Sequence, residues 1–234
     1  MEKRYNIFNP ANCKNRWCCY LDLLGFKKLI QKDTSLVDSV HRYYQSREIV
    51  ESWISQRSHL HLICFSDTFV IYSDDDSAAT FAFIEQAARW IMNLNLKHGI
   101  PLRGALSCGA LYIVEDDDIC IGNPLIEAFE QAENQNWIGF LLCHSAVLRL
   151  KKFNLSPSRM LNYRRWQMPK NKNLRGKNAL HAYLIGASSP SKGNNDYLET
   201  LRQMMLQAET KKDKNKYRKT IDFLEHHGVL QVVS

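Results

Sequence analysis

Cys18-Cys19-Tyr20-Leu21-Asp22-Leu23-Leu24-Gly25-Phe26 is an apolar run that carries one acid and breaks at a glycine. It reads as a buried strand that ends in a carboxylate. A second run, Leu62-Ile63-Cys64-Phe65-Ser66-Asp67-Thr68-Phe69-Val70-Ile71-Tyr72, again sets one acid among apolar and β-branched residues that favour strand. Carboxylates are rarely buried without a partner, and a divalent cation shared by Asp22 and Asp67 would supply one. The competing reading is a capping acid at Asp22 and a turn acid at Asp67, both common roles.

The flanking sequence places these two runs in one fold. Strand one is expected from about Arg16 to Asp22, and Gly25 permits a tight exit. A short helix is expected from Lys27-Lys28-Leu29-Ile30, its N-terminus turned back toward the strand end, where free N–H groups suit phosphate oxygens. A longer helix follows Ser35 and ends near Ser55, carrying apolar residues at three- and four-residue spacings. His59 to Phe65 and Thr68 to Tyr72 then form a hairpin with Ser66-Asp67 in its turn, so Asp67 projects beside the end of strand one.

Asp74-Asp75-Asp76-Ser77 reads as a loop feeding an N-cap for a helix over Ala78 to His98. A strand over Pro101 to Val114, the segment Ile119 to Ile121 and a helix opened by Gly122-Asn123-Pro124 come next. Trp137 to Cys143 and Ala179 to Ile185 read as further strands, with a short helix from Ser145 between them. The tail from Tyr197 reads as two helices split by Lys211-Lys212-Asp213-Lys214-Asn215. Helices alternating with strands, two of them joined by a hairpin, give an α/β fold: a mixed-sheet sandwich compatible with a palm-like βαββαβ layout. The expected organisation is an N-terminal segment over 1–15, one catalytic-sized domain over 16–190 and a helical C-terminal extension over 191–234.

Composition narrows the function classes. A chain of 234 residues with 45% hydrophobic content can bury a full core. No apolar stretch is long enough to span a bilayer and no signal-peptide pattern opens the chain, so a cytoplasmic protein without membrane contact is expected. Seven cysteines are an odd number, and Cys64 and Cys108 sit inside strand-like runs, as reduced core residues do. Cys13, Cys18 and Cys19 lack the second cluster a zinc site needs. The net charge of +7 favours anionic partners, and residues 149–177 hold ten basic side chains and no acid. Without a recognition motif, that segment reads as a solvated basic loop, and nucleic acid is not the expected partner. Asp74-Asp75-Asp76 and Asp116-Asp117-Asp118 read as solvated turns, and His59, His61 and His144 as structural.

The order of Asp22-Leu23-Leu24-Gly25-Phe26, Ser66-Asp67, Arg103-Gly104 with Gly109, and Gly122 with Ala128 resembles the class III nucleotidyl cyclases over roughly residues 16–145. The resemblance implies that Asp22, Asp67 and the backbone carbonyl of Leu23 hold two Mg²⁺ or Mn²⁺ ions. It also implies that the backbone of Leu23, Leu24, Gly25 and Phe26 cradles the triphosphate, with Lys27 or Lys28 adding charge, and that a homodimer builds its active sites at the subunit interface.

The departures from the family pattern are informative. Where purine-specific cyclases carry a lysine and an aspartate that read the base, this chain has Ile63 and Ile119, with Asp118 one residue away. An apolar side chain cannot hydrogen-bond a purine. Where the family carries an asparagine and a transition-state arginine, this chain has Ile126 and Glu130, which leaves Arg103 as the candidate cation. Metal acids kept and purine readers absent resemble the Pycsar cyclases of bacterial antiphage defence, as do Glu130 and Glu133. That resemblance implies a pyrimidine nucleotide cyclase acting on UTP or CTP, whose cyclic product is sensed by a separate effector. The rival readings are a non-catalytic cyclase-like module that binds a nucleotide or partner, and a palm-type nucleic-acid enzyme.

Overall fold

The computed structural model of the chain describes residues 9–26, 36–114, 119–160, 162–167, 179–183, 185 and 194–227. Lys27, Lys28, Asp116 to Asp118 and the lysines at 170, 172 and 177 lie outside them. The opening run forms β1 (Cys13–Leu23), whose last eight residues are all buried. It lies inside the sheet, antiparallel to β3 (Thr68–Ser73) on one edge and to β4 (Leu102–Val114) on the other, and helices cover both of its faces. A strand enclosed in this way reads as a continuous apolar run rather than an alternating one. Gly104 makes the β1–β4 approach possible, since a Cβ there would lie 2.5 Å from the Tyr20 carbonyl oxygen.

The hairpin partner β2 (Leu60–Phe65) lies outside β3, and β5 (Ile119–Ile121) folds back on the far end of β4. On the other side of β4 the sheet continues with β6 (Phe140–Leu142), in parallel, then β8 (Ala179–Tyr183) and β7 (Tyr163–Gln167), both antiparallel to their neighbours. Among the described residues the order β2-β3-β1-β4-β6-β8-β7, with β5 beside β4, is an eight-stranded mixed sheet. The α/β class and the palm-like core are as expected.

Helix α1 (Leu36–Ile54) and helix α2 (Ala78–Lys97) belong to one face of this sheet, where Tyr43 stacks with Phe69 and Phe81 packs on Trp17. Ser77 caps α2 by accepting from the Thr80 amide, as the Asp-Asp-Asp-Ser run suggested. Helix α3 (Asn123–Glu133) packs on β4 and β1, with Phe129 edge-on to Tyr20 at 5.5 Å. Because side chains alternate along a strand, Tyr20 and Asp22 share the α3 face while Trp17, Cys19 and Leu21 turn to the α2 face. Helix α4 (His144–Lys152) follows β6.

Three details differ from the sequence reading. Trp137 and Ile138 precede the strand rather than belong to it, since β6 spans only Phe140–Leu142. Part of the basic segment is not a loop: Tyr163–Gln167 is the edge strand β7, and Arg149 lies in the last turn of α4 with its guanidinium on Asp76 at 2.8 Å. The tail helices α5 (Asn194–Gln207) and α6 (Lys211–His226) do not break at Lys211 to Asn215, which is the first turn of α6. Thr210 caps that turn by accepting from the Asp213 amide, which explains why a charged run begins a helix instead of ending one. Helix α6 is held to the segment before β6 by Thr220, whose hydroxyl accepts from the Ile138 amide and donates to the Ile138 carbonyl, both at 2.9 Å. Phe223 packs edge-on against Trp137 one turn on.

Candidate active site

Asp22 stands at the penultimate position of β1, opposite Thr68 on one neighbour and Arg103 on the other. The hairpin turn that carries Asp67 is tight, with Ser66 in the left-handed region at φ +53°. The Asp67 carbonyl accepts from the Leu23 amide at 3.0 Å, which ties the hairpin tip to the end of β1. The two acids therefore sit on adjoining chain segments, close enough for the charge of Asp67 to act on Asp22. Leu24 donates to the Pro101 carbonyl at 2.9 Å, and the chain then turns at Gly25, where φ is +85°. Leu24 and Phe26 pack against the core, and the Phe26 ring lies 5.9 Å from Tyr43. In this turn it is the backbone and exposed Gly25 that are presented outward.

Asp22 is only 7% exposed. Its carboxylate accepts from Arg103 Nε at 2.8 Å, and the same guanidinium donates to the Glu133 carbonyl at 3.0 Å and to the Glu133 carboxylate. Arg103 thus bridges the ends of β1 and α3. Burial raises the Asp22 carboxyl from its ordinary 3.8 to about 6; the Arg103 charge and hydrogen bond oppose that rise, and the charges of Asp67 and Glu133 add to it. Desolvation outweighs the ion pair, so Asp22 is a buried carboxylate still short of positive charge. Among the described residues no group of three or more His, Cys, Asp or Glu side chains forms a metal cage. Two neighbouring carboxylates are oxygen donors of the kind a hard cation takes alongside water and phosphate.

Ile63 and Ile119 lie together elsewhere on the molecule, both lining a cavity of about 390 Å³ with Ile113, Tyr72 and the chain around Arg57. Ile63 faces Val70 across the hairpin and His61 faces Tyr72, so this cavity opens on the sheet face that carries Asp22 and Tyr20. Neither Asp22 nor Asp67 lines it. Within one chain the candidate residues therefore fall into two groups. Between and around them stand uncovered apolar side chains: Phe65 at the hairpin end is 78% exposed, and Ile121, Ile126 and Phe129 are exposed as well. Glu130, beside Ile126 on α3, is exposed too.

Three features escaped the sequence. Glu133 as the second partner of Arg103 is thirty positions away, and no local pattern signals the pairing. His59 and His61 do have a partner, since both reach Asp74, His61 Nε2 at 2.7 Å and His59 Nδ1 at 3.3 Å. Arg57, which lines the cavity and lies over the Trp53 ring, has no motif around it that marks it in sequence.

No protein-family model matches the chain, and no curated protein matches it. Solved structures do. A dimeric guanylyl cyclase domain of the RhoGC fusion protein from the aquatic fungus Blastocladiella emersonii is 13% identical, with a TM-score of 0.55 over 74% of this chain and 97% of that one. A bacterial light-regulated adenylyl cyclase is 12% identical, with a TM-score of 0.53 over 82% of this chain and 98% of that one. A Trypanosoma brucei adenylate cyclase in its monomeric state is 11% identical, with a TM-score of 0.51 over 78% and 92%. With the sheet order and the helices packed on it, these likenesses give the chain the palm-like fold of class III adenylyl and guanylyl cyclase domains.

Proposed function

We propose that the protein is a metal-dependent pyrimidine nucleotide cyclase that converts UTP, or CTP, to the 3′,5′-cyclic mononucleotide and pyrophosphate. The observation that carries this reading is the convergence of Asp22 and Asp67 at one end of β1, on the sheet face that also bears the separate Ile63–Ile119 cavity. The cyclase unit is residues 16–190, and the extension over 191–234 carries α5 and α6, with α5 packed on α2.

Asp22, Asp67 and the Leu23 carbonyl would hold two Mg²⁺ or Mn²⁺ ions, and the fit rests on the buried, positively under-compensated Asp22. When bound, such ions polarise the α-phosphate and stabilise the attacking and leaving oxygens. In the reaction the ribose 3′-oxygen bonds to the α-phosphorus, the bond to the α–β bridging oxygen breaks, pyrophosphate departs and the hydroxyl proton passes to solvent. The protein's own part is positional. The turn after Leu24 offers the backbone N–H groups of Gly25 and Phe26 to the triphosphate, and Arg103, fixed by Glu133, orients the Asp22 carboxylate. The Ile63–Ile119 cavity takes the base, and Ile63 and Ile119 themselves offer a purine edge no hydrogen-bond partner.

A base cavity set apart from the metal acids in each chain supports a homodimer in which one subunit supplies the acids and the other the cavity. The exposed apolar side chains of β2, β5 and α3 are the surface that a second copy would cover. The cyclic product would act as a second messenger in antiphage defence, read by a separate effector protein. No helix among the described residues is long and apolar enough to cross a membrane.

The test is to incubate purified protein with each of the four ribonucleoside triphosphates and Mn²⁺ and to identify products by mass spectrometry. Cyclic UMP or cyclic CMP from the wild type and none from Asp67→Ala is the expected result. Triphosphate binding with no cyclic product from any substrate would instead establish the binding-module reading, which the exposed Ile126 and Glu130 on α3 favour.

A further inference from the structure

We propose that Arg57 reads the base in the Ile63–Ile119 cavity by donating to a ring carbonyl, so that the site selects uracil over cytosine. This rests on the reading of the cavity as the base site. Ile63, Ile113 and Ile119 give the cavity its apolar wall, and Ser55, Arg57 and Ser58 give it a polar side. A volume of about 390 Å³ is at the small end for a ligand pocket and ample for one pyrimidine ring.

Arg57 is held in place before any ligand arrives. Its guanidinium lies over the Trp53 ring at 3.6 Å, and its Nη1 donates to the Trp53 carbonyl at 2.8 Å. Trp53 is itself braced by Trp90, with ring centroids 4.6 Å apart. A guanidinium stacked and anchored in this way loses little further freedom when it binds. Among the described residues its Nε and Nη2 have no hydrogen-bond partner, so the three N–H donors of these two nitrogens remain available on the cavity side chain that carries the most of them.

The other nitrogen base at the cavity is already engaged. His61 stacks on Tyr72 at 4.9 Å and its Nε2 is on Asp74 at 2.7 Å. That leaves Arg57 and the two serines to decide the edge chemistry, and an arginine has donors only. The base hangs from ribose through N1, so the edge furthest from the sugar, at ring position 4, is the one that enters first. Uracil presents a carbonyl oxygen there and cytosine an amino group. Arg57 pairs with the first and opposes the second, as arginine distinguishes keto from amino edges in other base contacts. Ile63 and Ile119 offer no acceptor that would rescue the amine.

The experiment compares wild type, Arg57→Gln and Arg57→Lys on UTP and CTP in two readouts: equilibrium binding of each labelled triphosphate, and kcat/KM for cyclic product. Expected for the wild type is a UTP preference of about tenfold or more in binding, the value of one discriminating hydrogen bond. Arg57→Gln should bring that ratio close to one, by loss on UTP and gain on CTP, while Arg57→Lys keeps part of it. A wild type that prefers CTP, or variants that weaken UTP and CTP equally, would overturn the assignment. If UTP is selected in binding and Arg57→Gln abolishes the selection while no cyclic product forms, the assignment of Arg57 stands and the cyclase reading fails. Should Arg57→Gln not fold, the Arg57→Lys ratio decides.

Discussion

Asn in place of Asp22 is expected to make the metal-free protein more stable at neutral pH while removing its response to metal. Asp22 is 7% exposed and its carboxyl is raised from 3.8 to about 6, with burial as the main cause. The folded state therefore binds the proton more tightly than the unfolded state does. Below about pH 4 the group is protonated in both states and costs nothing; between about 4 and 6 the cost grows; above 6 it is complete. At about 1.4 kcal/mol per pH unit, the full cost is on the order of 3 kcal/mol. Asp22→Asn keeps an oxygen for Arg103 and removes the buried charge, so at pH 7.5 it should gain about 2–3 kcal/mol over wild type, falling to about 1 kcal/mol at pH 4.5. Urea denaturation at the two pH values measures this directly, with the midpoint as the readout. Adding Mn²⁺ at pH 7.5 should raise the wild-type midpoint and leave the variant unchanged. A variant less stable than wild type at pH 7.5, or a difference equal at both pH values, would refute the reasoning, because either result means that Arg103 more than compensates the burial of Asp22.

Two further outcomes follow from the fold and from the divided site. Thr220→Val strips both hydrogen bonds from the Ile138 backbone and leaves a buried N–H and C=O unpaired, so stability should fall by about 2–4 kcal/mol in chemical denaturation, with Thr220→Ser retaining most of it. Ile63→Trp fills the cavity and should abolish cyclisation, as Asp67→Ala does; co-refolded mixtures of the two inactive chains should regain activity, since a mixed dimer holds one intact acid pair facing one intact cavity. Mixtures that stay inactive while forming dimers would place acids and cavity in the same subunit's site.

Much of this was readable from the chain, for physical reasons that also explain what was not. Strand β1 announced itself because helices cover both of its faces, and a single acid in such a run stands out. The β2–β3 turn was legible because Ser66-Asp67 interrupts two strand-like runs at hairpin spacing. Edge strand β7 was not, since only Tyr163 and no other residue of Tyr163–Gln167 is buried, and arginines on an edge look like a loop. Trp137 and Ile138 were read as strand from their apolarity, yet the backbone of Ile138 is satisfied by a threonine side chain far along the chain. The site divides in the same way. Asp22 and Asp67 were visible through local context, whereas the Arg103 bridge to Glu133 and the anchoring of Arg57 on Trp53 depend on tertiary placement that no window reveals.

The Thr220 clasp bears on how the protein is made. Ile138 belongs to the segment that leads into β6, beside β4, yet both of its backbone hydrogen bonds wait for a residue synthesised 82 positions later. During translation the strands that carry Asp22, Asp67 and Arg103 can pair early, while Trp137 stays without its Phe223 neighbour until α6 emerges. A nascent chain interrupted before α6 would thus expose an indole and an unpaired backbone on the flank of the site, features that a cell's quality control reads as incomplete. For a protein proposed to make a potent signal, this ordering delays a fully packed fold until α6 has closed on Ile138.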